Sequence, residues 1–250
     1  PIYEDTIDWA QDVFVSGDYA YLANGPSGLA IINISDPTNP GTPVYGDTNR
    51  YAYNVFVSGN YAYVADLEEG LAIIDISDPT NPGTPIYRNT TGEAYGVYVN
   101  GDYAYVADGP SGLAIIDISD PTNPGTPIYE DTIGGANGVY VNGDYAYVAD
   151  GLSGLAIIQI RNSPEPPTNI LIQDGIEHIY LNWDIPNDNR APITHYNIYR
   201  GETENGSKIL IDTSIISEYN DTTAIVNTMY YYVVSAVNSI GESENSTEVS

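Results

Sequence analysis

Apolar and polar residues alternate along most of the first 160 positions, and the alternation has a period of two. Residues 97–101 read VYVNG: three alternating positions, then an Asn-Gly turn signal. Residues 102–108 read DYAYVAD, which puts Ala104, Val106 and Asp108 on one face and Tyr103, Tyr105 and Ala107 on the other. Residues 112–119, GLAIIDIS, form an apolar run suited to a strand covered on both faces. The DPTNPGTP stretch that follows cannot lie inside a sheet, because its prolines lack an amide donor. It reads as a connector into a fourth strand at 127–133. No window shows helical periodicity, so an all-β fold is expected.

This unit repeats. Gly17, Gly59, Gly101 and Gly143 are spaced by 42 residues, and ISDPTNPGTP begins at Ile34, Ile76 and Ile118. A period near 40 with four short strands per unit is the signature of a propeller blade. The runs LAIINIS, LAIIDIS, LAIIDIS and LAIIQIR follow YAYLAN, YAYVAD, YAYVAD and YAYVAD. They resemble the LVIVD repeat of bacterial and archaeal cell-surface proteins, and the resemblance implies a four-bladed β-propeller over residues 1–161. The opening PIYEDTI repeats residues 127–133, while the fourth copy stops at Ile160 without its last strand. Ile2, Tyr3, Glu4 and Asp5 are therefore expected to act as a closing strand. Three destinations are open for it: the last blade of its own chain, a larger propeller cut at Pro1, or a neighbouring subunit.

The phase breaks after Arg161. Residues 162–167, NSPEPP, make a short stiff linker, and residues 168–250 carry several short strands. PPTNI at the start, Trp183, the segment PITHYNIYR, and Tyr230 ahead of Ala236-Val237-Asn238 make this part similar to a fibronectin type III domain. The resemblance implies a small β-sandwich with Tyr230 at the tyrosine corner. It departs from the family just before that residue, where Asn227 and Thr228 replace the usual Leu and Pro-Gly.

Composition narrows the function. With 34 acidic and 6 basic residues the net charge is −28, which repels nucleic-acid phosphates and anionic membrane surfaces. There is no Cys, so no disulfide, thiolate metal site or Cys nucleophile exists, and no apolar run is long enough to span a membrane. The chain starts at Pro1 rather than Met and reads as a mature or trimmed product.

Candidate chemistry is sparse. The two histidines, His178 and His195, both fall on expected sandwich strands. The abundant carboxylates recur at equivalent repeat positions, which argues against the unlike pair that acid–base catalysis needs. No enzyme is expected. No cofactor is expected either, calcium being the one ligand considered: Asp66, Asp108 and Asp150, with Asn24 in the first copy, would ring one end of a propeller axis. Against it, Asp36, Asp78 and Asp120 stand where Asp caps its own turn. Tyr19, Tyr61, Tyr103 and Tyr145 offer aromatic faces to a sugar, but more simply they cover each blade. Among the N-x-S/T sequons, Asn89, Asn205, Asn220 and Asn245 are glycosylation candidates, whereas Asn33 lies in a strand expected to be buried. The reading is a non-catalytic extracellular protein of the cell surface. It would be structural or adhesive, in a surface layer or filament, with self-association or other surface proteins and glycans as partners. The competing class is a lectin-like propeller that binds glycan or peptide.

Overall fold

The computed structural model describes residues 1–175 and 178–250. Apart from one short 3₁₀ turn at Gly151–Ser153, every element among them is a strand, and the chain divides into two compact units, Pro1–Ile158 and Gln159–Ser250. The division falls three residues before the linker expected at 162–167.

The first unit holds four antiparallel sheets, one per repeat. Strands β1 (Asp12–Ser16), β2 (Tyr19–Ala23), β3 (Leu29–Asn33) and β4 (Val44–Gly46) form the first, paired in sequence order. The second contains β5 (Asn54–Ser58), β6 (Tyr61–Ala65), β7 (Leu71–Asp75) and β8 (Ile86–Arg88). The third contains β9 (Gly96–Asn100), β10 (Tyr103–Ala107), β11 (Leu113–Asp117) and β12 (Ile128–Glu130). The fourth has three strands, β13 (Gly138–Asn142), β14 (Tyr145–Ala149) and β15 (Leu155–Gln159). The hairpin between the first two strands of each sheet turns on Gly17, Gly59, Gly101 or Gly143, each at a φ between 56° and 59°, a region other residues enter only with strain. The fourth strand is only three residues long, shorter than the sequence pattern suggests, because the proline-rich connector before it cannot pair.

Adjacent sheets pack through the two faces of the alternation. Tyr21, Ala23, Leu29 and Ile31 of the first sheet meet Val55, Val57, Val64 and Ile74 of the second in one buried cluster. Tyr63, Ala65, Leu71 and Ile73 meet Val97, Val99, Val106 and Ile116 at the next joint in the same way. Isolated bridges stitch each joint as well: Gly25 to Ala52, Leu67 to Ala94 and Gly109 to Ala136. Stability therefore comes from near-identical nearest-neighbour interfaces, as in other repeat proteins.

The expected closing strand departs from this pattern. Residues 2–5 are exposed and belong to no strand, and β15 has no outer partner among the described residues. Leu155 on β15 and Val13 on β1 are 61% and 58% exposed, so the sheet that residues 2–5 lead into does not stand against β15. In the first three copies the connector is held by the sheet it leads into: the backbone N–H groups of Ile7, Asn49 and Thr91 donate to the hydroxyls of Tyr45, Tyr87 and Tyr129 at 2.8–3.0 Å. Residues 6–8 are thus anchored to the first sheet, and Ser27 reinforces this by donating to Asp8.

The second unit contains two three-stranded sheets. One comprises β16 (Thr168–Asp174), β17 (Ile179–Asp184) and β20 (Glu218–Asp221); the other comprises β19 (Ile209–Ser214), β18 (His195–Gly201) and β21 (Tyr231–Val237). Leu181, Trp183, Tyr196, Ile198, Tyr232 and Val234 form the core. Trp183 and Tyr196 meet edge to face, with ring centroids 5.2 Å apart.

Candidate functional site

The carboxylates that end each YVAD motif are the most deeply buried acids of the array. Asp66 accepts from Thr48 Oγ1 at 2.9 Å and from the Arg50 backbone N–H at 3.2 Å. Asp108 accepts from Thr90 Oγ1 at 2.5 Å and from the Gly92 N–H at 2.8 Å, and Asp150 accepts from the Gly134 N–H at 2.9 Å. In each case the donors lie 16 or 18 residues upstream, on the connector entering that sheet. Each carboxylate is therefore a latch between connector and sheet. The three are distributed over three joints, and among the described residues no group of three or more His, Cys, Asp or Glu side chains could hold a metal ion. Asp66, Asp108 and Asp150 are not brought together as one set of ligands.

Burial pushes the Asp66 carboxyl up from 3.8 to about 6, against the hydrogen bonds from Thr48 and Arg50, which pull it down. Asp108 is raised for the same reason. A raised folded-state value means that the folded chain binds more protons than the unfolded chain between those two limits. These aspartates therefore add stability as pH falls from above 6 toward 4. The array is expected to melt at a higher temperature near pH 5 than near pH 7.5, with Asp66 contributing on the order of 1 kcal/mol over that window. D66N, which installs the side chain the first copy carries as Asn24, should remove part of that dependence. A melting temperature that is flat or falling over this window would exclude the effect.

The other recurrent acids are turn caps. Asp36, Asp78 and Asp120 each accept from the side chain and backbone N–H of the Thr two residues on, at 2.6–3.0 Å, and the Thr hydrogen bonds hold all three below the usual carboxylate range.

A feature that sequence reading missed lies on the first strand of each sheet. Phe14, Phe56, Tyr98 and Tyr140 stand one per sheet and form a continuous row, with successive ring centroids 4.8, 4.9 and 4.9 Å apart. The signal was available as an aromatic residue at the third position of every first strand. The tyrosines singled out instead, Tyr19 and Tyr61, sit at the margins of the joints. A groove of about 320 Å³ follows the row, bordered by Asp12, Asn54 and Asn137. Asp12 accepts from Asn54 Nδ2 at 2.5 Å and from the Val55 N–H, and Asn54 in turn accepts from the Val97 N–H. The polar groups beside the aromatic row thus tie neighbouring sheets together.

In the second unit Asp221 is fully buried and accepts from Arg200 Nη1 at 2.6 Å and from the Tyr232 hydroxyl at 2.7 Å. Tyr230, assigned to the tyrosine corner, is buried under the Arg200 guanidinium, 4.4 Å from its ring centroid. His195 opens β18, as expected of a strand residue, whereas His178 lies just before β17 and in no strand, so the two are not neighbours in one sheet. Asn89, Asn205, Asn220 and Asn245 are all exposed, Asn220 on edge strand β20 rather than in a loop. Asn33 ends β3, half-buried, with its side-chain oxygen accepting from Ser35.

The profile of the LVIVD repeat matches four stretches, residues 9–43, 49–86, 91–127 and 133–168, which together make up more than half of the chain. The chain belongs to the LVIVD-repeat family. Each matched stretch of this LVIVD-repeat protein contains the first three strands of one sheet. No curated protein matches the chain. Among solved structures, an Fn3-like protein from Clostridium thermocellum is 30% identical over 35% of this chain and 90% of its own, with a TM-score of 0.31. The structure of titin kinase and its flanking domains is 24% identical over 35% of this chain, with a TM-score of 0.33, and the chain spans only 16% of its length. The computationally designed Ika4 protein is 9% identical over 62% of this chain and 94% of its own, with a TM-score of 0.49.

Proposed function

We propose that this LVIVD-repeat protein is a non-catalytic structural or adhesive component of the cell exterior, a subunit of a surface layer or fibre. In this reading the four sheets are blades of a propeller whose ring is completed beyond the joints described above, and the second unit is a fibronectin type III domain serving as spacer or contact module. One observation carries it. The recurrent polar side chains of the array, Asp66, Asp108 and Asp150 at the latches and Asp36, Asp78 and Asp120 at the turns, are spent on holding connectors and sheets together. Repetition of that kind builds material rather than a unique reaction centre. The exposed sequons at Asn89, Asn205, Asn220 and Asn245 and the charge of −28 suit a protein in contact with the outside medium. Immunogold labelling of intact source cells tests this. Label on unpermeabilised cells is expected, and label that needs permeabilisation would overturn the placement.

A second reading, recognition of a glycan or peptide, is favoured by the groove beside the aromatic row, where ring faces and amide groups stand together. A glycan array separates the two: one tight, saturable hit would favour recognition over a purely structural role.

A further inference from the structure

The first and fourth sheets carry the two halves of an interface that the molecule already makes between its internal neighbours. At the internal joints the bridging alanines Ala52, Ala94 and Ala136 are fully buried, and so are the leucines Leu29, Leu71 and Leu113. Val57 is 7% exposed and Ile115 is 1% exposed. The equivalents at the ends are open. Ala10 is exposed, and Val13 and Val15 are each 58% exposed on β1. On the fourth sheet Leu155 is 61% exposed and Ile157 is 59% exposed. Deeper in the face of the first sheet, Ala20, Ala30 and Ile32 are buried, so its open strip runs along β1.

The backbone has the same unfinished pair. In each of the first three sheets the third strand is covered by a fourth, in a fixed register: Ile31 opposite Val44, Ile73 opposite Ile86, Ile115 opposite Ile128. Strand β15 lacks that partner among the described residues, and residues 2–4, Ile-Tyr-Glu, repeat β12 without a strand to pair with. The aromatic row likewise stops at Tyr140, which is mostly exposed.

We propose that the chain joins itself head to tail. The fourth sheet of one copy receives the first sheet of a second copy, and residues 2–4 of that second copy add to β15 as its missing outer strand. The inference rests on reading the repeats as propeller blades. The occupant is a second copy because the complementary surfaces are made of the same residues in the same order as the internal joints, including the connector that follows the fourth strand. In the single chain both faces stand open, Val13 and Val15 on one side and Leu155 and Ile157 on the other, and closing one on the other would have to shift the packed joints between the first and second and the second and third sheets. The contact is heterologous, so it builds either a closed ring or an open filament.

The natural absence of cysteine makes the test direct. By the repeat register Ile157 faces Ile2 of the next copy, so I2C and I157C chains, mixed and oxidised in about 0.5 M salt to screen the charge, are expected to give an interchain dimer of twice 27.0 kDa. Light scattering of the unmodified chain should show a discrete ring or a filament. V13E combined with V15E should return it to 27.0 kDa without lowering its melting temperature, since both valines are exposed in the single chain. An I2C/I157C double variant that locks within one 27.0 kDa chain would overturn the second copy while leaving the blade reading intact. No cross-link in either format, with a monomeric mass, would overturn the inference and ring closure together.

Discussion

Asp221→Ala is expected to cost the C-terminal unit about 3–5 kcal/mol, a large share of the stability of a small domain. Burial alone would raise the Asp221 carboxyl. Donors from Thr223, Tyr232 and Arg200 reverse that and hold it below the ordinary carboxylate range. Removing it leaves a guanidinium, 17% exposed, without its counter-charge, and strands the Tyr232 hydroxyl in the core. For a unit of this size the melting transition should fall by more than about 12 °C. A shift under about 4 °C would show that the pair contributes little. The sign of the pH response is also fixed. A lowered folded-state value contributes stability above the unfolded value, near 4, and loses it as pH falls through the folded one. Mild acid should thus strengthen the sheets around Asp66 and Asp108, whereas stronger acid weakens the C-terminal unit around Asp221.

Leu113→Ala and Leu155→Ala are expected to behave as different mutations although they occupy the same repeat position. Leu113 is fully buried at the repeat position that Leu71 holds in the joint between the second and third sheets, and its truncation should cost about 2–5 kcal/mol through lost contacts and a cavity. Leu155 lies on the open end face, and in the dissociated chain its truncation should cost no more than about 0.5 kcal/mol. Thermal melts at low protein concentration compare the two. Equal losses would mean that the fourth sheet is covered in the single chain. If copies join as proposed, Leu155→Ala instead weakens association and leaves the single chain's melting temperature in place.

Much of the N-terminal unit was legible because a strand's side chains alternate with a period of two. Ala104 and Val106 do share a face, packing together in one cluster that lacks Tyr105 and Ala107, Asp108 lies just past the strand, and copying one repeat onto the next predicts the sheets in order. The turn-capping role of Asp36, Asp78 and Asp120 was equally readable, since an Asx turn needs only residues two apart. The latches were not. The partners of Asp66 and Asp108 lie 16 and 18 residues away, a distance at which no local pattern in the chain marks a contact. The same aspartates therefore looked like a ring of ligands when they are separate fasteners.

What the amino-acid sequence determined by itself was the repeat, its strands and turns, the change of pattern at the linker and the all-β character of both units, because each follows from local alternation, proline and glycine chemistry. The joint between sheets was set by packing across the chain. Its packing buries Leu113 while leaving Leu155 open, and it leaves residues 2–4 in no strand and β15 without an outer partner among the described residues. Alternation says which side chains share a face; it does not say which surface covers that face.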